Sequence, residues 1–343
     1  MFEVALLYPD KQQGAAKRYG MPQDMGKDLN LSVILRAMAK EDEEIFTNCQ
    51  RVLLCPVTDE KMLHFRQQMV SDAVSHPEFY EEMYRIAKEA MQEIHKYTSK
   101  KTSNKVVQIT ESLDLLRILL KYLRYLKEHL RSEQAEKADA MYLFTTKFRE
   151  HFTDDFAKDL ERHIDDMAVL MQGGRLILTA GVAGGLKCGD AMVNRLDPVD
   201  YRKMGKFRRT LRWLLLHLAS PEAILLNQEA LKQDAIRMEE NGLLYTQEIY
   251  REFLYQFQEF FSQLQIQVGF YVGCANLGRS LHNLKMKTCY PRVSHEKGHI
   301  EYRHLYELGL ALETLKNPVD NSLTDSCHLH VISGANQGGK STF

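Results

Sequence analysis

The sequence predicts a mostly α-helical protein, and three observations carry that prediction. Only 19 glycines and 8 prolines occur in 343 residues, so little in the chain interrupts a helix. Apolar residues recur at helical spacing over two long stretches, one through Leu116, Leu119, Leu123, Leu126 and Leu130, the other through Phe253, Phe257, Phe260, Leu264, Val268, Tyr271 and Ala275. Strand-like character is confined to a Gly-rich insertion at 173–198 and to the residues beyond Cys289.

Composition narrows the possibilities further. Lys and Arg number 45 against 46 Asp and Glu, with 27% charged and 44% apolar residues, which excludes a disordered or fibrous chain and allows two or three domains. Near-neutral charge argues against a generally polyanion-binding surface and leaves room only for local basic patches. The opening MFEVALLYPD lacks a basic n-region and an apolar h-region, and no run of about 18 uncharged apolar residues occurs, so a cytoplasmic protein with no membrane partner is expected. The six cysteines, Cys49, Cys55, Cys188, Cys274, Cys289 and Cys327, form no CxxC pair and read as reduced, mostly packed thiols.

Residues 28–96 alternate apolar and charged positions at helical spacing, with Asp28, Asp59 and Ser75 as candidate caps and Pro56 and Pro77 as breaks between short helices. After the polar linker 99–104 the leucines step by three and four, the seam of a coiled-coil-like helix; residues 111–131 alone would extend roughly 30 Å. Helix-forming residues continue to about Leu170. The insertion at 173–198 combines a β-like run with four glycines between Gly181 and Gly189 and reads as a turn or small β element at the far end of an arm. From Phe207 helical spacing returns, bringing the arm back. Beyond Pro291 come short strand-like pieces, HIEYRHLYEL at 299–308 and CHLHVISG at 327–334, the expected start of an α/β domain.

The final residues, GANQGGKSTF, contain G-x-x-x-x-G-K-S as Gly334, Gly339, Lys340 and Ser341. In a phosphate-binding loop the glycine-rich backbone N–H groups line a nest for the phosphates, the lysine reaches the β/γ oxygens and the hydroxyl ligates Mg²⁺. Leu329, Val331 and Ser333 alternate with His330 and Ile332, which predicts a buried strand feeding into the loop. The other reading of these residues is a fortuitous Gly-rich segment.

GANQGGKST resembles the Walker A loop of the MutS family of DNA mismatch-repair ATPases, Gly-Pro-Asn-Met-Gly-Gly-Lys-Ser-Thr. Seven of nine positions agree, with Ala335 for proline and Gln337 for methionine. Residues 270–277 followed by Tyr290 and Pro291 resemble the end of the family's returning lever helix. Residues 298–304 resemble its strand ending in Arg-His-Pro, here Arg303-His304-Leu305 without the proline. Asp28-Leu29-Asn30-Leu31 and Phe65-Arg66-Gln67 to Asp72 resemble the start of its helical core.

This resemblance implies a helical core (1–110), long antiparallel lever helices (111–288) carrying the short insertion, and the N-terminal piece (289–343) of an α/β P-loop ATPase domain of ABC type, truncated after the Walker A loop. By carry-over, Gly334, Asn336, Gly338, Gly339 and Lys340 would bind the phosphates of ATP or ADP, Ser341 would hold Mg²⁺ and Thr342 would support the loop. The family's mismatch-reading domain and full DNA clamp have no counterpart here, and no Walker B strand follows, so an ATPase is expected only of a complete protein, as a homodimer. The segment Arg202, Lys203, Lys206, Arg208, Arg209 and Arg212 reads either as a contact for DNA phosphates or as a solvated helix face.

Other motifs have bland readings. His295-Glu296-Lys297-Gly298-His299 matches the HExxH string, but Pro291 and Gly298 interrupt the helix that zinc ligation needs, so a solvated hairpin turn is expected. His328 and His330 share a strand face without a third ligand in view. Phe79-Tyr80-Glu81 falls inside a helical pattern, and the GxxxG of Gly269 and Gly273 suits close helix packing. The reading favoured is an ATP-dependent, MutS-like DNA-binding protein. The alternative is a helical interaction module whose P-loop binds nucleotide without hydrolysing it. A chromosome-maintenance type of coiled-coil ATPase is disfavoured because its phosphate loop precedes its arms.

Overall fold

The computed structural model describes residues 3–7, 26–27, 29–55, 57, 59–99, 104–131, 139–171, 175–183, 187–197, 228–293, 299–326, 329, 331 and 333. Its elements run α1 (Leu31–Ala39), α2 (Glu43–Leu53), α3 (Glu60–Ser75), α4 (Pro77–Thr98), α5 (Lys105–His129), α6 (Asp139–His151), α7 (Asp154–Met171), β1 (Arg175–Ala183), β2 (Lys187–Asp197), α8 (Gln228–Asn283), β3 (Ile300–Leu305), α9 (Leu308–Thr314) and β4 (Asn321–Asp325). The protein is mostly α-helical, as the composition predicts. It divides into two compact units, one of Phe2–Lys88, Leu126–Arg149 and Phe260–Phe343, the other of Glu89–Tyr125 and Glu150–Glu259 with Met1.

In the first unit the short helices begin where side chains can satisfy free backbone N–H groups. Asp42 caps α2 by accepting from the N–H groups of Glu44 and Ile45 at 3.0 and 3.2 Å, and Asp59 caps α3 through Met62 N–H at 2.8 Å. Pro77 opens α4, a first-turn position that needs no N–H donor. Ser75, expected as a cap, instead ends α3, its hydroxyl donating back to the Ser71 carbonyl at 2.9 Å. An α-helical residue's hydroxyl finds the carbonyl one turn behind it, and the following break is made by His76 and Pro77. Asp28 and Pro56 lie outside the described residues.

The core of this unit includes the C-terminal part of α8, where Phe260, Phe261, Leu264, Val268, Tyr271 and Ala275 are buried, as are Met38, Ile45, Cys49, Met69, Tyr80 and Met83, with the Tyr80 and Tyr271 rings 6.0 Å apart. Gly269 and Gly273 allow close approach. A Cβ on Gly273 would collide with the Sγ of Cys49, and one on Gly269 would come within 3.0 and 3.1 Å of Asn48 and Tyr84. The GxxxG is thus a packing device. Phe79 and Tyr80 are likewise buried inside α4, while Glu81 pairs with Arg279 of α8.

The second unit is built on the leucine seam. Ile109, Leu113, Leu116, Leu119, Leu120 and Leu123 of α5 are buried, together with Met91 and Ile94 of α4, Leu160 and Ile164 of α7 and Tyr250 and Phe257 of α8. The last two leucines of the seam, Leu126 and Leu130, are buried in the first unit. Phe253 departs from expectation, being 39% exposed. The buried stripe at that level passes through Tyr250 and Phe257, and Phe253 falls about 60° to its side at 100° per residue. Exposed ion pairs join α5 to α7, Arg117 to Asp165 at 2.8 Å and Arg124 to Glu161 at 2.7 Å.

The insertion is an antiparallel hairpin in which Leu176 pairs with Leu196 and Ala180 with Ala191. A bulge between Ala180 and Val182 leaves Gly181 out of register, a position that glycine fills at little cost. Of the strand predicted through Leu329–Ser333, only Leu329, Val331 and Ser333 are among the described residues. The described residues of that stretch are neither helix nor strand, and Leu329 and Val331 are 79% and 84% exposed. A strand buried on both faces needs neighbours on either side, and among the described residues β3 and β4 pair only with each other.

Candidate nucleotide and DNA sites

The residues expected to bind nucleotide, Gly334, Asn336, Gly338, Gly339, Lys340, Ser341 and Thr342, lie outside the described residues, as do Arg202, Lys203, Lys206, Arg208, Arg209 and Arg212. His295, Glu296, Lys297, Gly298, His328 and His330 lie outside them too. What the structure describes is the path by which the helical scaffold leads toward the loop.

That path leaves the end of α8 and enters β3, which follows His299 directly; His299 is therefore not on a helix, the geometry HExxH ligation would need. β3 pairs antiparallel with β4, Ile300 opposite Asp325 and Tyr302 opposite Leu323. Regular pairing breaks between Tyr302 and Leu305, where His304 adopts a left-handed φ of 57°. Two contacts hold this kink. The His304 N–H donates to the Ser322 hydroxyl at 3.0 Å, and its Nδ1 lies 2.9 Å from an Asp320 carboxylate oxygen. The bend thus occurs at Arg303-His304-Leu305 without a proline.

Four contacts tie this hairpin and its helix to the helical elements of the same unit. Glu307 caps α9 through the N–H groups of Gly309 and Leu310, and α9 packs on α1. Asn30, just before α1, donates to Glu313 of α9 at 3.0 Å. Gln67 of α3 donates to the Pro291 carbonyl at 2.9 Å, and the Tyr306 hydroxyl donates to the Lys287 carbonyl at 2.9 Å. Through these contacts α9 is held on α1 and its N-terminal flank, and the connection after α8 is held on α3.

Electrostatics in this unit centre on Asp42. Besides capping α2, it accepts from Lys88 Nζ at 2.6 Å and from the Tyr84 hydroxyl. Burial works to raise the Asp42 carboxyl, but Lys88 and the two capped N–H groups outweigh it and hold the group below its ordinary value. Burial pushes the Cys49 thiol up to about 12, and burial lowers the His129 imidazole, whose Nε2 lies 2.9 Å from the Phe79 carbonyl. Cys49, Cys55, Cys274 and Cys289 are all free thiols. No group of three or more metal-ligating side chains stands together among the described residues.

Two features were missed in the sequence, one of them with a legible signal. Asp42 could have been read as a cap from Asp-Glu-Glu before an apolar run. Gln267, 4% exposed within an apolar helix face, carried no signal, since its partners are the main-chain groups of residues 4–7.

The comparisons with known proteins fit this scaffold. No curated protein and no solved structure matches the chain. The MutS2 N-terminal domain matches residues 58–284, about two thirds of the chain, from the start of α3 to the end of α8 and including the β1–β2 hairpin. The matched span contains two of the stretches on which the MutS resemblance rested outside GANQGGKST, Phe65-Arg66-Gln67 to Asp72 and residues 270–277, while Asp28–Leu31, Tyr290-Pro291 and 298–304 lie beyond it. The chain belongs to the MutS2 N-terminal domain family.

Proposed function

We propose that this protein is a MutS-like, ATP-dependent DNA-binding protein in which residues 1–110 form the helical core, 111–288 the levers and 289–343 the beginning of the ATPase domain. The observation that carries the reading is order along one chain: the family match at 58–284 is followed at 334–342 by GANQGGKST. In this reading Gly334, Asn336, Gly338, Gly339 and Lys340 cradle the phosphates, Ser341 ligates Mg²⁺ and Thr342 supports the loop. DNA is held through its phosphates by the 202–212 cluster, and branched or damaged DNA is preferred to a mismatch. Dimerisation of the nucleotide domains moves the levers around DNA. Hydrolysis needs, besides this loop, an acidic group to organise Mg²⁺ and water.

The test is equilibrium binding of a fluorescent ATP analogue with Mg²⁺, compared between wild type and Lys340→Ala. The expected result is Mg²⁺-dependent binding weakened at least about tenfold by the substitution, which removes one charge-assisted hydrogen bond to phosphate. Equal affinity in the two proteins would remove the phosphate loop from the reading and leave the helical interaction module.

A further inference from the structure

Residues 3–7 run through the first unit in neither helix nor strand, yet five of their main-chain groups are bonded by side chains. Gln267 of α8 accepts from the N–H groups of Leu6 and Leu7 at 2.8 and 2.9 Å and donates to the Val4 carbonyl at 2.8 Å. The Tyr271 hydroxyl, one turn further along α8, donates to the Leu6 carbonyl at 2.7 Å, and Arg66 of α3 donates to the Leu7 carbonyl at 3.2 Å. Val4, Leu6 and Leu7 are 5%, 0% and 1% exposed. Gln267, Tyr271 and Arg66 are themselves buried.

This is the chemistry of a peptide receptor. Main-chain hydrogen bonds hold a non-helical segment, bent here at Leu6 and Leu7, whatever its sequence, while burial of Val4, Leu6 and Leu7 selects apolar side chains at those positions. The segment contributes no secondary-structure ladder, and it joins α1 through residues 8–25, which include Pro9, Gly14, Gly20 and Pro22. Fully extended, that connection reaches at most about 60 Å. Such a tether allows the segment of one chain to reach a site on another, and the segment of a second copy is the one trans ligand with complete complementarity.

We propose that α8 and α3 form a main-chain-reading site for a bent apolar peptide, filled in cis by Val4-Ala5-Leu6-Leu7 and able to accept the same segment from a second copy of the chain. In an intact chain the tether favours the cis arrangement through its effective concentration. Trans occupancy follows when the resident segment is defective. The proposal is independent of nucleotide binding.

The test uses two full-length variants. Gln267→Leu has an intact segment and a defective site; Leu6→Asp has an intact site and a defective segment. A photo-crosslinking residue replacing Ala5 is placed in the Gln267→Leu chain, and the two are mixed and irradiated. The expected result is an intermolecular adduct mapping to α3 or α8 of the Leu6→Asp chain, at least about a hundredfold weaker when both chains carry Gln267→Leu, because three buried main-chain groups then go without a partner. No adduct from two folded variants overturns the proposal. Should either variant fail to fold, amide exchange in the wild type decides. Leu6 and Leu7 exchanging through an opening faster than that of residues 264–275 supports a separable segment, and exchange at one common rate shows an integral part of the core and overturns it.

Discussion

Gly273 on α8 faces the thiol of Cys49 on α2 so closely that no Cβ fits between them. Intrinsic propensity alone would make Gly273→Ala stabilising by about 1 kcal/mol, since glycine is a poor helix former. Packing reverses the sign. We expect Gly273→Ala to lower stability to urea by about 1–3 kcal/mol, the cost of overpacking a filled core, and Gly269→Ala to have a smaller effect because its nearest neighbours are the side-chain ends of Asn48 and Tyr84. A stabilised Gly273→Ala would show that the two helices are not in this register.

The seam and the surface of α5 should differ sharply. Leu119, fully buried, is expected to cost about 2–5 kcal/mol when changed to Ala. The Arg124–Glu161 pair, its side chains 47% and 44% exposed, should contribute no more than about 1 kcal/mol in a double-mutant cycle and less at high salt. Urea denaturation of the Leu119→Ala protein and of the cycle's variants checks both values.

Asp42 combines two roles that substitution separates. Asp42→Asn keeps an oxygen to cap α2 and removes the ion pair with Lys88, whereas Asp42→Ala removes both. The expected destabilisation is about 0.5–1 kcal/mol for the first and about 2 kcal/mol for the second. Equal values would assign the whole effect to charge.

His129 gives the fold a pH dependence of defined sign. Burial lowers its folded-state value, so between that value and the ordinary 6.5 the unfolded chain binds more protons than the native one. Stability therefore falls as pH drops below about 6.5. Its ring stacks on Phe79 at 4.5 Å, with Glu82 and Arg85 as the charges that act on it. In urea titrations from pH 7.5 to pH 5.5, about a unit either side of the ordinary value, His129→Gln should show a shallower decline than wild type. Parallel curves would place the pH dependence elsewhere.

The DNA reading predicts a salt signature. Changing Arg202, Lys203, Lys206, Arg208, Arg209 and Arg212 to Gln should weaken binding to all DNA sequences alike. It should also make the slope of log K against log salt shallower by about 0.9 for each phosphate that the protein no longer neutralises. A titration of labelled branched DNA at several salt concentrations measures it, and an unchanged slope would make the cluster a solvated face.

What the sequence determined by itself was local and periodic. The leucines from Leu116 to Leu130 and the stripe from Phe257 to Ala275 are buried as their spacing predicts, because one face of a helix must find cover wherever that helix packs. Asp59 and Pro77 mark helix starts because capping depends on neighbours a turn away, and the Gly-rich insertion is a hairpin because its strands are adjacent in the chain. The tertiary structure decided what depends on distant partners. Phe253 is exposed because the packing of α8 at that level runs through Tyr250 and Phe257. β4, polar and short, is a strand only because β3 lies beside it, whereas Leu329 and Val331, apolar and alternating, are exposed and outside any described strand. Gln267 is buried in a helix face that reads as apolar because main-chain groups more than 250 residues away satisfy its amide, a relation no local pattern encodes.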